Sequence, residues 1–347
     1  MNNHPAILIV GNFLSGNTGF RTVCEDFAGL LVKSGWSVIT TSNRVDRISR
    51  LLDMMGAVWR YRKDYKFACI DTYSGPAFLW AECVGFALRL LGKPYILILH
   101  GGDLPKFSKR WTGRVTRLLK YAESVTSPSQ YLRQAMQYYR ADITVIPNPL
   151  ELDAYHYRLR STVTPKLIWL RAFHRIYNPA LAPRLLSEFN KHGIRSTLTM
   201  VGPDKGDGSL EEMLRLADEL SVRSQINIVG GIPKDQVPLQ LSQDDIFINT
   251  TNVDNTPVSV IEAMACGLCI VSTDVGGISS LLEDGVDALL VPPDNHEAMA
   301  AAIQRILTEP DLAARLSANA GKKAGQFDWL GVLPKWEEIF ERIIQDA

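Results

Sequence analysis

Short apolar runs alternate with amphipathic stretches along almost the whole chain. The runs at 6–13, 37–42, 67–72, 95–100, 124–127 and 143–146 read as buried strands. Between them, at about 20–33, 45–61, 76–91, 107–121 and 129–139, apolar positions recur at helical spacing. A second series begins at 166–170 and continues at 197–201, 226–229, 246–249, 268–273 and 288–291. Its helices fall near 178–192, 209–222, 234–242, 257–266, 277–283, 295–308 and 310–324, and 329–345 is a last helix. Pro147-Asn148-Pro149 and the polar run to Pro165 read as a linker between the two series. Strand–helix alternation predicts parallel sheets with helices on both faces. The expected fold is therefore α/β, with two doubly wound, Rossmann-like domains at 1–155 and 156–328. They are expected to face a central cleft, with the helix 329–347 packing back on the first.

Composition adds little to this except in its charge. The 347 residues are 46% apolar and 21% charged, as in a globular protein, and the net charge is zero. That zero hides an asymmetry: residues 1–160 carry 21 Lys and Arg against 12 Asp and Glu, and the rest carries the opposite excess. A basic first half is suited to a membrane surface or an anionic acceptor, although two domains can also differ in charge without such a role. No stretch is long and apolar enough to read as a membrane span or secretory signal, and the nearest candidate, Pro76–Leu91, contains Glu82 and Arg89 and reads as a buried helix. The expected setting is therefore cytoplasmic, with contact at the inner membrane face as an option. The five cysteines, Cys24, Cys69, Cys83, Cys266 and Cys269, lack the spacing of a disulfide or zinc framework. Cys266 and Cys269 sit where a helix ends and a strand begins, opposite to the placement that activates a thiol, and read as buried small residues.

The chemistry concentrates between Ile246 and Thr273. A strand leads into the polar loop Asn249–Thr256, then a helix opening near Pro257 and stopping at Gly267. Such a helix start, at the carboxyl end of a parallel strand, is an anion site. Asp254 stands before it and Glu262 within it, an arrangement suited to a phosphate with hydroxyls at either end. Arg171 directly follows the strand 166–170, where a guanidinium can meet a phosphate bidentately, and Arg175 lies four residues on. Strand ends with glycine at Gly202 and at Gly230-Gly231 would let a ligand approach the backbone.

The first half offers weaker signals. Gly11-x4-Gly16 resembles a P-loop, but Asn17 stands where the lysine is needed, so Gly16-Asn17-Thr18-Gly19 reads as a phosphate- or sugar-approaching loop or as a tight turn. His100-Gly101-Gly102 ends a strand, and His100 is a site residue or a hydrogen-bonded core group. Residues 106–120 place Phe107, Trp111, Val115, Leu118 and Leu119 on one helical face with six cations around it. That pattern suits a membrane surface or an ordinary helix packed on a sheet.

The chain resembles a retaining glycosyltransferase of family 4 with the GT-B fold, most clearly over residues 166–308. The resemblance rests on Asp254-x7-Glu262-Ala-Met-Ala-Cys-Gly267, on Val275-Gly276-Gly277, and in family order on Ile146-Pro-Asn148-Pro, Leu170-Arg171, Val201-Gly202, Val229-Gly230 and Asp284-Gly285. It implies that Glu262 binds the donor ribose and Asp254 the hydroxyls of the transferred sugar. It gives the diphosphate to Arg171 and the backbone at Asn255 and Thr256, with the helix start at Pro257 and contacts at Gly230 and Gly231. The loop Gly16–Gly19 would close on sugar and phosphate, and His100 would lie near the sugar. Two positions depart from the family: Asp254 where Glu is usual, and Ile176 or Tyr177 where a lysine is expected, which throws the leaving diphosphate onto Arg171, Arg175 and backbone dipoles.

The function expected is transfer of a sugar from a UDP- or GDP-linked donor to a hydroxyl of a glycan or lipid-linked acceptor, as in bacterial surface polysaccharide synthesis. Retention is attributed in the family to same-face attack, so no covalent nucleophile is assigned. No cofactor or metal is expected, because no Asp-x-Asp follows a strand, and no nucleic acid partner is expected. The alternatives are a nucleotide-sugar epimerase of the same fold and a catalytically weak nucleotide-sugar-binding subunit.

Overall fold

A computed structural model of the chain describes residues 5–18 and 21–346, without the side chains of residues 17 and 18. It divides into two units, one of residues 1–149 with 329–347 and the other of Leu150–Asp328.

The first unit has six parallel strands: β1 (Ala6–Val10), β2 (Val38–Thr41), β3 (Tyr65–Thr72), β4 (Tyr95–Leu99), β5 (Ser124–Ser127) and β6 (Thr144–Val145), in the order β2-β1-β3-β4-β5-β6. Alternate side chains of β1 serve opposite faces, as the pleat requires. Leu8 and Val10 join Met54, Val58 and Ala81, whereas Ile7 and Ile9 join Phe27, Trp336 and Phe340. The last two come from the terminal helix Trp329–Asp346, whose apolar stripe covers this second face. Trp329 Nε1 donates to Ser34 Oγ at 2.8 Å and fixes the start of that helix.

The second unit repeats the architecture with β7 (Lys166–Leu170), β8 (Thr197–Val201), β9 (Ile226–Gly230), β10 (Ile246–Asn249), β11 (Cys269–Thr273) and β12 (Leu289–Val291), in the order β12-β11-β10-β7-β8-β9. The chain direction across the sheet reverses between β7 and β10, which are neighbours although β8 and β9 lie between them in sequence. Cys269 faces one core and Cys266 the other, and burial pushes both thiols up to about 12, which leaves them unreactive.

Three expectations change. The boundary falls at Pro149/Leu150 and not after residue 155, because the supposed linker is stitched to the second unit. Leu150 N donates to Phe327 O at 2.7 Å, and buried Arg160 donates to the carbonyls of Arg158, Asp244 and Cys266. The Cys266 contact caps the helix Val258–Ala265, where a cation offsets the dipole. Residues 106–120 form no single surface helix. They form two, Leu104–Arg110 and Thr112–Lys120, and Val115, Leu118 and Leu119 are buried in the unit's own core. Of the two readings of that apolar face, packing on the sheet is the one the structure supports. The helix Phe78–Leu90, read as buried, leaves one side open, with Leu79, Phe86 and Leu90 exposed. Among the described residues no helix is long and apolar enough to cross a membrane.

Candidate active site

The reversal between β7 and β10 creates a crevice at the carboxyl ends of both strands, the place where open α/β sheets bind ligands. Arg171 leaves the end of β7, and residues 250–257 leave the end of β10. The two loops are tied together by the polar residues of the β10 loop. Thr250 Oγ1 donates to Tyr177 O at 2.6 Å and accepts from Trp169 Nε1 at 2.9 Å. Asn252 N donates to Ile176 O at 2.7 Å, and Thr273 Oγ1 donates to Thr251 O at 2.6 Å. Buried threonines in this loop therefore do structural work: they satisfy backbone carbonyls that water does not reach.

This stitching holds Arg171. Its guanidinium hydrogen-bonds the Asp254 carboxylate and stands over the Tyr177 ring, 4.6 Å from the centroid. The side chains of both partners are largely buried, so the pair is poorly screened. Burial pulls the Arg171 pKa down, and Tyr177 first and then the charge of Glu262 push it back, which puts all three groups in one electrostatic field. Arg171 Nε is buried without a hydrogen-bond partner, so the guanidinium keeps donor capacity. Tyr177, one of the two residues at the family's lysine position, thus supports the arginine with its ring face. Asp254 uses its second oxygen to accept from Asn255 N at 2.9 Å.

Glu262 is 3% exposed on the helix Val258–Ala265. Its Oε1 accepts from Tyr155 Oη at 2.7 Å and lies 2.6 Å from Lys234 Nζ. A carboxylate so buried needs such a cation and donor. The glycines position the other side of the loop. A Cβ on Gly276 would lie 2.1 Å from Asp254 O, and one on Gly277 2.3 Å from Asn255 O. Only glycine lets the backbone after β11 approach the 254–255 loop so closely.

The structure thus gathers Arg171, Asp254, Asn255, Thr256, Pro257 and Glu262, the last four of them buried. Pro257 is the residue before the helix, not its first turn. The Asn255 amide is turned to Asp254 and not outward. Arg175 is not gathered: its guanidinium binds Asp207, 3.2 Å from Oδ2, and its side chain is 74% exposed. Gly230, at φ 71°, ends β9, and its carbonyl accepts from Gly202 N at 2.7 Å.

The remaining expected residues belong to the first unit. Gly16 is exposed in the short helix Ser15–Thr18, Gly19 lies outside the described residues, and the Asn17 and Thr18 side chains lie outside them too. His100 is 6% exposed. Its Nε2 is 3.0 Å from Asp71 Oδ1, and its ring stacks on Tyr73 with centroids 4.9 Å apart.

Sequence reasoning missed Lys234, Tyr155 and Asp71. Lys234 follows the flagged Gly230-Gly231 by three residues, so a cation at that strand end was legible there. Tyr155 lay within the supposed linker, and Asp71 is in β3 with no local mark of a role.

Residues 164–323 match the family described as Glycosyl transferases group 1, and residues 23–154 match Glycosyltransferase Family 4. Together these cover both units. The chain belongs to glycosyltransferase family 4. The fold of the family is matched over its whole length by sucrose-phosphate synthase from Thermosynechococcus elongatus, with TM-score 0.82 and 16% identity over 99% of this chain and 100% of that one. Anabaena Alr3699/HepE, solved with UDP and glucose, gives 0.79 and 17% over 98% and 100%. At such identities the likeness establishes the GT-B fold. Among family relatives, the amylovoran biosynthesis glycosyltransferase AmsK of Erwinia amylovora is 30% identical over 40% of this chain and 36% of its own length. Alpha-D-kanosaminyltransferase of Streptomyces kanamyceticus is 28% identical over 33% of this chain and 30% of its own. The chain spans about a third of the length of the curated relatives it matches.

Proposed function

We propose that the chain is a retaining, metal-independent hexosyltransferase. It takes a sugar from a UDP- or GDP-linked donor and transfers it to a hydroxyl of a glycan or lipid-linked acceptor in surface polysaccharide synthesis. The observation that carries this reading is the pair of ion pairs at the β7/β10 crevice, Arg171 with Asp254 and Lys234 with Glu262. Each joins a cation, which suits phosphate, to a carboxylate, which suits sugar hydroxyls. A nucleoside-diphosphate sugar exchanges partners with both: its diphosphate takes Arg171 and Lys234, its ribose hydroxyls donate to Glu262, and its sugar hydroxyls donate to Asp254. Arg171 then meets the charge that grows on the departing diphosphate. The acceptor hydroxyl attacks the anomeric carbon on the face that the diphosphate leaves. The UDP and glucose of the Anabaena complex and the amylovoran role of AmsK support the donor and acceptor classes.

The test is turnover of UDP- and GDP-sugars by the purified chain with cell-extract acceptors, beside Asp254→Asn and Glu262→Gln. Both substitutions are expected to lower transfer by about 100-fold or more while keeping the fold, because each removes a charged acceptor for a buried hydroxyl. Wild-type rates in both variants refute the site. Donor binding without transfer makes the chain a binding subunit, and conversion of the donor's own sugar without an acceptor makes it an epimerase.

A further inference from the structure

Two neighbouring helices of the first unit carry large apolar side chains that its core does not use. The helices Arg47–Arg60 and Phe78–Leu90 turn Met54 and Val58, and Ala81, Val84 and Leu88, into one shared core. They lie side by side, with the Arg50 guanidinium 5.1 Å from the centroid of the Trp80 ring. Their outer faces present Ile48, Leu52 and Trp59 on one helix and Leu79, Phe86 and Leu90 on the other, each 47–72% exposed. At about 100° per residue, each set of three falls within about 40° of one direction on its helix. This is a continuous stripe on each of two adjacent cylinders, not scattered surface residues, and such a patch marks an interface.

The charge around it selects the partner. Arg47 begins the first helix, Arg60, Arg62 and Lys63 end it, and Arg89 ends the second; all five are exposed, and none pairs with a described carboxylate. The acids nearby are mostly committed. Asp53 faces Thr41 and Glu82 holds Arg114, which leaves the exposed Asp64 and the helix-capping Asp46 against five cations. A second copy of the chain seated on this patch would bring two cationic rims together. An anionic bilayer complements both parts: apolar side chains enter the acyl boundary, the cations stay among the headgroups, and Trp59 suits the interface between them. We propose that the outer face of the helices Arg47–Arg60 and Phe78–Leu90 docks the chain on an anionic lipid surface. The contact is independent of the donor chemistry of the second unit.

The experiment is flotation of the purified full chain with vesicles of phosphatidylcholine, alone or mixed with phosphatidylglycerol. Wild type floats with the mixed vesicles, and less as salt rises. Leu52→Ser with Phe86→Ser lowers its partition about tenfold or more. Arg60→Glu with Arg62→Glu removes the preference for phosphatidylglycerol, and Leu330→Ser leaves partition within about twofold of wild type, because Leu330 is exposed on the terminal helix, which covers the opposite face of the sheet. All these residues are exposed, and retained circular dichroism and melting temperature show that the variants fold. Three results overturn the proposal: wild type that does not float with anionic vesicles, patch variants that float like wild type, or a dimer by light scattering that Phe86→Ser dissolves.

Discussion

Replacing Lys234 by Met tests the central feature of the crevice, because it keeps an unbranched side chain only one atom shorter and removes its charge. Glu262 is 3% exposed and has two partners on one oxygen, Tyr155 Oη at 2.7 Å and Lys234 Nζ at 2.6 Å. Stripping the cation from a fully buried pair costs about 3–5 kcal/mol, because the carboxylate is left uncompensated. The Lys234 side chain is a quarter exposed, so water screens part of the loss, and about 1–3 kcal/mol is expected. In a unit of this size that lowers the melting temperature by roughly 3–10 °C. Glu262→Gln added to Lys234→Met removes the stranded charge, so the double variant recovers about 1–2 kcal/mol relative to the sum of the singles. The functional readout separates from this. If Lys234 takes over diphosphate contact, UDP or GDP binds about 10–100-fold more weakly to Lys234→Met, and the double variant, though restabilised, does not recover. Calorimetry measures both quantities on the same preparations. A Lys234→Met chain that melts with wild type and binds UDP and GDP with wild-type affinity refutes the reasoning, since the ion pair would then stabilise nothing and meet no phosphate.

Two further predictions concern the support of the site. Burial raises the pKa of Asp244 to about 6, from the ordinary 3.8, so between those values the folded chain holds more protons than the unfolded one, and stability falls as pH rises through the window and stays lower above it. Asp244→Asn is therefore expected to gain about 1–3 kcal/mol at neutral pH and to flatten this slope; urea unfolding at about pH 4 and pH 7 that gives the same difference in both chains sinks the prediction. Gly277→Ala places a methyl carbon 2.3 Å from Asn255 O and must push the 254–256 loop aside. It is expected to weaken donor binding about tenfold or more and to cost about 1–3 kcal/mol of stability, and wild-type donor affinity in that variant would show that the loop's position does not matter.

The strands were legible because burial on both faces leaves apolar runs that no helix of that length requires, and β5, β7, β8 and β10 lie where the runs predict. What periodicity cannot carry is which strands pair. Arg171 meets Asp254 only because β7 sits beside β10, where Leu167 pairs with Ile246, 79 positions later in the chain, and Ile168 with Phe247. Local pattern also left the outer surfaces of the first unit undecided. In 106–120 an apolar stripe bordered by cations looks the same whether it meets lipid or a sheet, and it meets the sheet. In 78–90 the charged residues Glu82 and Arg89 sit to one side of the outward direction, so the solvent face does not read as polar, and Leu79, Phe86 and Leu90 occupy it. Arg175 was misread for a nearer reason: Asp207, 32 residues on, captures it.

The proposed partner exchange has a consequence for selectivity. A free diphosphate that draws Arg171 and Lys234 to itself leaves Asp254 and Glu262 without cations, and Glu262 is almost wholly buried. A free sugar that hydrogen-bonds Asp254 does the reverse, competing with Arg171 and offering the guanidinium nothing in return. Either fragment therefore meets a penalty for a stranded buried group, which is larger than the net worth of an ordinary hydrogen bond. The intact nucleotide-sugar satisfies both cations and both carboxylates at once and meets neither penalty. On this reading, preference for the linked donor over its parts comes from the internal ion pairs of the empty crevice. The same pairs explain how a site without the family's usual lysine holds its charges in balance, since each carboxylate has brought its own cation with it.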